Sequence, residues 1–587
     1  MALGAVPGRV ALKLKVPAVK VALILENTLT DTLRISLAQL NPTVGNVAGN
    51  AELVRAARRR AAADSADLVM LSELFLSGYP PEDLVLKPAF QEACRAATEA
   101  LAAETADGGP AVLLGTPWVE EGKLYNAVCL LDGGKIAATR YKADLPNYSV
   151  FDEKRVFTPG PTQPPVDFRD VRLGLPICED IWTSAVTQCQ AEMGADMLLV
   201  PNGSPYEHNK QNLRYDLVRD RVKETGRPTV YLNQVGGQDE LVFDGATFVV
   251  NGDGTIPLQM PAFREHQVTT TWKRMGNNGW RCEASEIAKL PEELESIYQA
   301  MMLGLRDYVN KNRFPGIILG LSGGIDSAIS AAVAVDALGA DKVRAFMLPS
   351  PYTSDDSIED AAKCAELLGI VHDTVSIEPA MHAFEAALRD VFAGRGKDVT
   401  EENIQSRIRG VSLMAISNKL GYMLLTTGNK SEMSVGYATL YGDMCGGFSV
   451  LKDIYKVMVY RLCEWRNKAK PEGALGPAGA VMPERVITKA PTAELKENQT
   501  DQDTLPPYEV LDGVLEGLVE HEQTVDELVA KGFDRAVVTR IWRMLDLAEY
   551  KRRQAPPGVK ITSRAFGRDR RYPITNGFRA ALESKSS

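Results

Sequence analysis

The chain has 587 residues, 45% of them apolar and 24% charged, with a formal net charge of -10. This is too long for one hydrophobic core, and the balance is that of a globular protein, which excludes wholesale disorder and a fibrous chain. The acidic charge disfavours nucleic acid as a partner, and no run approaches the ~20 apolar residues of a membrane span, so small molecules are the expected partners. Eight cysteines from Cys94 to Cys463 include no Cys-x-x-Cys pair, which reads as reduced thiols in a cytoplasmic protein, not a disulfide framework or a zinc site. Five scattered histidines make no metal cluster.

Residues 1–25 carry Arg9, Lys13, Lys15 and Lys20 without an acid. Lysines and prolines interrupt them where a secretory signal has an unbroken apolar centre, so 1–32 reads as a disordered extension outside the fold. From Arg34, strands alternate with helices. Apolar runs at 35–40, 68–75, 111–118, 171–177, 197–200 and 229–232 read as strands, as do alternating runs at 126–131 and 241–250, with a helix at 51–63. A first layered domain over 33–275 follows, then a connector at 276–298. A helix near 291–312 and strands at 316–321, 343–347, 371–377 and 423–426 read as a parallel α/β sheet within a second domain, 299–587. Residues 471–507, rich in Pro, Gly, Ala and Thr, read as a long surface segment before a helical region and a basic tail.

Three segments of the first domain place chemistry at strand ends, where a rigid sheet can position it. Ser72-Glu73-Leu74-Phe75 offers a carboxylate, Arg140-Tyr141-Lys142 an ammonium, and Ile177-Cys178-Glu179-Asp180 a thiol where a strand turns into a helix. A Glu–Lys–Cys set can cleave an amide: the thiolate attacks, the carboxylate takes the proton, and the ammonium stabilises the oxyanion. A helix N-terminus is expected to lower the thiol's pKa further. With these neighbours in this order, 33–275 resembles the nitrilase superfamily. The resemblance implies an α-β-β-α sandwich with Glu73 as general base, Lys142 as oxyanion stabiliser and Cys178 as nucleophile. In the glutaminase branch it assigns Tyr148, Ser204 and Lys210 to the glutamine. The other seven cysteines read as structural.

In the second domain, Gly320-Leu321-Ser322-Gly323-Gly324-Ile325-Asp326-Ser327 joins an apolar strand to an Ala-rich helix. Glycines let the backbone approach a phosphate, the helix N-terminus attracts the anion, and Asp326 can hold Mg2+ against it. No lysine follows, so this is not the Gly-x4-Gly-Lys loop, and its glycines are not those of the Gly-x-Gly-x-x-Gly fingerprint. The motif resembles the pyrophosphate loop of N-type ATP pyrophosphatases. Thr426-Thr427-Gly428-Asn429-Lys430-Ser431-Glu432, Gly436–Asp443 and Glu401–Gly410 are similar to the NAD+ synthetase signature. That resemblance assigns Thr427 to ATP, Asn403, Glu432 and Lys551 to deamido-NAD+, and Asp326 with Glu432 to Mg2+. From Lys551 to Arg579 nine basic residues face one acidic one, which reads as a clamp on substrate phosphates, with Lys456 a further phosphate contact.

The two resemblances together imply a doubly wound α/β domain that adenylates deamido-NAD+ with ATP, supplied with ammonia from L-glutamine through a sheltered path, in a homo-oligomer without nucleic-acid or membrane partners. Three other readings stay open at this point. They are an ammonia-dependent synthetase keeping its glutaminase domain for assembly, an amidotransferase for another adenylated substrate, and a non-catalytic dinucleotide binder.

Overall fold

A computed structural model describes residues 31–276 and 279–578; the expected extension, apart from its last two residues, lies outside them. In chain order the strands of the first domain are β1 (Thr32–Gln39), β2 (Leu68–Met70), β3 (Ala111–Glu120), β4 (Lys123–Asp132), β5 (Lys135–Tyr141), β6 (Val166–Phe168), β7 (Val171–Gly174) and β8 (Met197–Asn202). They continue as β9 (Thr229–Asn233), β10 (Val235–Gln238), β11 (Leu241–Asp244), β12 (Phe248–Val250), β13 (Leu258–Gln259), β14 (His266–Arg274) and β15 (Trp280–Cys282). One sheet runs β15-β14-β1-β2-β3-β4-β5 and a second β13-β12-β9-β8-β7-β6, with β10-β11 a separate hairpin.

The period-2 alternation of apolar residues explains why the sheets stack. Leu33, Ile35, Leu37 and Leu113 of the first meet Leu173, Leu199, Val230 and Val249 of the second in one core. Their intervening neighbours Ala38, Val69, Val112 and Leu114 pack outward with residues of the helices Val47–Ala63 and Pro88–Glu104. On the far side, Val200 and Tyr231 pack with Val218 and Val222 of Lys210–Thr225. The result is the α-β-β-α sandwich.

Several expected runs break where chemistry sits. The run at 68–75 is a strand only to Met70, and 171–177 only to Gly174, so Glu73 and Cys178 lie in loops beyond the strand ends. Leu74 and Cys178 take left-handed φ of 45° and 46°, which no strand tolerates. The run at 241–250 splits between a hairpin and the second sheet at Gly245 and Ala246, both left-handed, where a Cβ on Gly245 would strike the Gln39 amide at 2.3 Å. The first sheet also runs past 275, because β15 pairs with β14.

The second domain is built on β16 (Ile317–Gly320), β17 (Val343–Met347), β18 (Val371–Thr374), β19 (Met423–Thr426) and β20 (Phe448–Ser449). These form an all-parallel sheet in the order β18-β17-β16-β19-β20. Chain order reverses between β16 and β19, and in doubly wound sheets the crevice at the carboxyl ends there is where ligands bind. The helix Glu293–Lys311 begins inside the expected connector and serves both domains. Its Ile297 and Met301 share a core with Val235 and Val242 of the hairpin, and Asp307 accepts from Asn41 Nδ2 and the Gly237 N–H, both at 2.7 Å. No helix among the described residues is long and apolar enough to cross a membrane.

Candidate active sites

In the first domain Glu73 and Lys142 are both fully buried and 2.7 Å apart. Glu73 Oε1 accepts from Lys142 Nζ and Asn126 Nδ2, each at 2.7 Å, and Oε2 from the Gly203 N–H at 2.9 Å. Lys142 also donates to both oxygens of Glu153 at 2.9 Å, and Tyr79 donates to Glu153 Oε1 at 2.9 Å. Burial alone would pull the Lys142 pKa down. Glu153 and Glu73 outweigh it and hold the ammonium well above its ordinary range. Glu153 is a functional candidate that sequence reasoning missed: within Asp152-Glu153-Lys154-Arg155 it reads as a solvated charge run.

Cys178 is 4% exposed, and the charges of Glu73 and Lys142 both act on it. Its thiol departs from expectation. Burial first, then Glu73, push its pKa well above the ordinary thiol value. The physical reason is local. Cys178 opens a 3-10 turn of four residues, Cys178–Ile181, too short for the dipole of a full helix, in a fully desolvated place. Both causes favour the protonated thiol over the thiolate.

The expected glutamine residues ring this centre. Tyr148, half exposed, donates to both oxygens of Glu179 at 3.0 Å, beside Cys178. Ser204 is buried, its Oγ accepting from Arg214 at 3.2 Å, directly after the glycine that holds Glu73. Lys210 begins its helix and, among the described residues, makes no ion pair; burial and the Arg214 charge bring it down to about 8.

In the second domain a cavity of about 310 Å³ opens at the carboxyl ends of β16, β17 and β19. Gly320, Leu321, Ser322, Gly324, Ile325, Asp326, Ser327 and Thr427 all line it. Gly323 does not. Its φ is +77° and a Cβ there would stand 2.2 Å from the Ser357 carbonyl, so it shapes the loop against the neighbouring helix Asp355–Leu368. Asp326 accepts from Asn429 Nδ2 at 2.9 Å and pairs with Lys456, whose Nζ lies 3.5 Å from Glu432. Burial, then the Asp326 charge, push Glu432 up to about 8. Two acidic side chains thus converge on the Lys456 ammonium. Among the described residues no third His, Cys, Asp or Glu joins them, and Mg2+ commonly completes its shell with phosphate and water.

Asn403 and Lys551 stand behind the cavity wall. Asn403 Oδ1 accepts from Thr439 at 2.9 Å, and Lys551 Nζ donates to the carbonyls of Gly436 and Ala438 at 2.8 and 2.6 Å, so both brace the loop 436–443. Most of the tail's cations are engaged by acids, which weighs against the expected phosphate clamp. Arg552 and Arg570 pair with Glu549, Lys560 with Asp569, Arg564 with Glu522 and Arg568 with Glu82. Glu522, Glu82 and Glu549 lie outside the tail, so a count of its own charges cannot reveal these pairs. Nor is 471–507 a bystander: Lys489, Thr492 and Glu494 line the cavity, with Glu494 accepting from Ser354 and Ser357 Oγ at 2.7 and 2.8 Å. Arg409, also in the wall, is brought down to about 10 by burial and makes no ion pair among the described residues.

The carbon-nitrogen hydrolase family model matches residues 34–274 and the NAD synthase model residues 297–555. A glutamine-dependent NAD(+) synthetase of Rhodobacter capsulatus is 54% identical over 551 residues, covering 94% of this chain and all of that protein. One of Thermotoga maritima is 42% identical over 581 residues. The structure of a glutamine-dependent NAD+ synthetase from Acinetobacter baumannii is similar at TM-score 0.74 and 41% identity, covering 93% of this chain and 99% of that one. A second, from Cytophaga hutchinsonii, shares the fold at TM-score 0.80 and 23% identity. With both domain families in order and relatives matched end to end, this chain belongs to the glutamine-dependent NAD+ synthetases, a family of carbon–nitrogen ligases.

Proposed function

We propose that this enzyme amidates deamido-NAD+ to NAD+ with ATP, using ammonia from L-glutamine. One observation carries the reading: a buried Glu–Lys–Cys centre and a nucleotide-sized cavity behind a Ser-Gly-Gly loop share one chain, and the core of the second domain extends onto the first-domain hairpin through Val235 and Val242. At the first site, Glu73 takes the Cys178 proton as sulfur bonds the glutamine amide carbon. Lys142 stabilises the oxyanion, and Glu73 returns the proton to the leaving ammonia. Water activated by the same carboxylate then hydrolyses the thioester to glutamate. Lys210 suits the α-carboxylate of glutamine, Glu179 with Tyr148 its α-ammonium, and Ser204 the backbone around them.

At the second site, a nicotinate carboxylate oxygen attacks the α-phosphorus of ATP, pyrophosphate leaves, and ammonia displaces AMP from the adenylate. The residues 320–327 and Thr427 hold ATP. Glu432 meets the dinucleotide, while Asn403 and Lys551 act on it through the loop they brace. Asp326 and Glu432 would hold Mg2+, whose charge offsets that of the phosphates.

Ammonia released into water would protonate and lose its nucleophilicity, so the reading needs a sheltered path. A string of small voids supports one. A void of about 20 Å³ shares Thr426, Gly428, Glu432 and Asp443 with the large cavity. It shares Lys452 with another of about 10 Å³, which reaches Val150, Glu240 and Leu241 of the first domain. The test is NAD+ formation with glutamine or ammonium for wild type and Cys178→Ala. Loss with glutamine but retention with ammonium is expected. If the variant still uses glutamine, Cys178 is not the nucleophile; if wild type makes NAD+ from neither donor, the synthetase reading fails.

A further inference from the structure

Lys142 and Cys178 must face the same carbonyl, yet they belong to different sheets. Lys142 follows β5 at the edge of the seven-stranded sheet, and Cys178 follows β7 of the six-stranded one. Apolar packing between sheets is non-directional and fixes their spacing only loosely. The nucleophile itself sits at a left-handed φ of 46°, a conformation that surrounding structure must hold in place. What ties these two points together is a carboxylate that the mechanism does not use.

Asp180, two residues past Cys178, is 1% exposed. Its Oδ2 accepts from the Ile177 N–H at 2.8 Å, on the residue before the nucleophile. Its Oδ1 accepts from the N–H groups of Ala143 and Asp144 at 3.0 and 2.8 Å, directly after Lys142. Among the described residues it forms no ion pair, so these backbone bonds are what compensate a buried carboxylate. A simple cap on the turn would need only the Ile177 bond. The other two cross to the other sheet, and Thr183 Oγ1 on Asp144 Oδ2 at 3.0 Å adds a parallel tie.

We propose that Asp180 is the positioning residue of the glutaminase centre, a buried brace that fixes the spacing between Lys142 and Cys178. This rests on the glutaminase reading of that centre. The chemistry explains why aspartate stands here: asparagine offers one acceptor oxygen, and its NH2 would point at an N–H that needs an acceptor. Because Asp180 touches neither substrate nor the reacting atoms, its loss should mislay the nucleophile without changing how glutamine is held.

The test compares full-length wild type, Asp180→Asn and Asp180→Glu by glutamine kinetics and by NAD+ formation from ammonium. Asn should lower kcat for glutamine about 100-fold, the cost of misplacing a reacting group by about 1 Å. KM should stay within about threefold, since uniform binding is untouched. Ammonium-driven synthesis should stay at the wild-type rate, which reports an intact fold. Glu keeps two acceptor oxygens and should recover part of the lost kcat. An unchanged kcat in Asn, a rise in KM in place of a fall in kcat, equal losses in both variants, or a parallel fall in the ammonium-driven rate each overturns the proposal. If wild type hydrolyses glutamine and Asn does so equally well, only Asp180's role falls; if wild type does not hydrolyse it, the glutaminase reading falls too.

Discussion

The ammonium of Lys142 is held by two carboxylates, and the division of labour between them is the chemical core of the first site. In the proposed mechanism Glu73 must be free to take a proton from Cys178, yet it lies 2.7 Å from Lys142. Glu153 shares that cation from the other side, and burial raises its own pKa. Removing its charge should leave Lys142 to neutralise Glu73 alone and weaken the base. Glu153→Gln is therefore expected to lower glutamine-dependent kcat by about 100-fold, a typical general-base contribution, with the ammonium-driven rate unchanged. Breaking a buried pair costs about 3–5 kcal/mol, so a fall in Tm should accompany it; steady-state kinetics and thermal melts of the same preparation check both. Lys210 supports a pH prediction. Brought down to about 8, it is an ammonium below that pH and neutral above it, so KM for glutamine should rise as pH passes about 8. Lys210→Met should have a high KM at all pH values and lose that alkaline rise; a KM–pH profile from 6.5 to 9.5 decides. Glu73, Lys142 and Cys178 were legible because each sits in a distinctive string of neighbours. Glu153 and Asp180 were not, because tertiary closure buries them: the loop carrying Glu153 is pinned by its N–H on the Pro146 carbonyl, and Asp180 by partners 36 and 37 residues away.

At the scale of elements, strands announce themselves by periodicity and loops by exception. The runs at 343–347 and 423–426 match β17 and β19 end to end because they are short and mostly apolar. The run that carries Glu73 and the one that leads into Cys178 were read too long, since apolar composition continues where the backbone leaves the sheet. The segment around Glu494 hid its place in the nucleotide wall because Pro, Thr and Ala suit any exposed loop equally well. The Ser-Gly-Gly loop was the most legible element, and the structure separates the duties of its glycines. Gly324 lines the cavity; Gly323 lets the loop pass the Ser357 carbonyl. Gly323→Ala combines a left-handed φ with a backbone clash at 2.2 Å, so the loop must move. Synthesis should fall at least tenfold with either nitrogen donor, while glutamine hydrolysis persists. Parallel assays of NAD+ and glutamate formation check this, and normal synthesis in Gly323→Ala would show that the loop shifts without harm.

At the scale of the whole molecule, one polypeptide carries both candidate sites and packs their domains together. The helix Glu293–Lys311 inserts between the domains, and the tail crosses back: the Lys560 N–H donates to the Glu240 carbonyl at 2.8 Å, and the His208 N–H to that of Ile561 at 2.9 Å. These contacts join residues hundreds of positions apart, which no local pattern in the sequence encodes. At the same junction Lys452 of the second domain pairs with Glu240 of the first at 2.9 Å, and Lys452 walls both small voids of the proposed ammonia path. A partly buried pair at a domain boundary adds little to affinity, but on the proposed path it stands where ammonia would cross from one domain to the other. Lys452→Met keeps most of the side-chain volume and removes the pair. Each site should then run as before on its own substrate, glutamine hydrolysis at the first and ammonium-driven synthesis at the second, while transfer between them leaks. The quantity to measure is glutamate formed per NAD+ made with glutamine as donor. It should rise in Lys452→Met relative to wild type, and more at acidic pH, where escaped ammonia protonates and is lost as a nucleophile. An unchanged ratio would place the ammonia route away from Lys452 and the string of voids it walls.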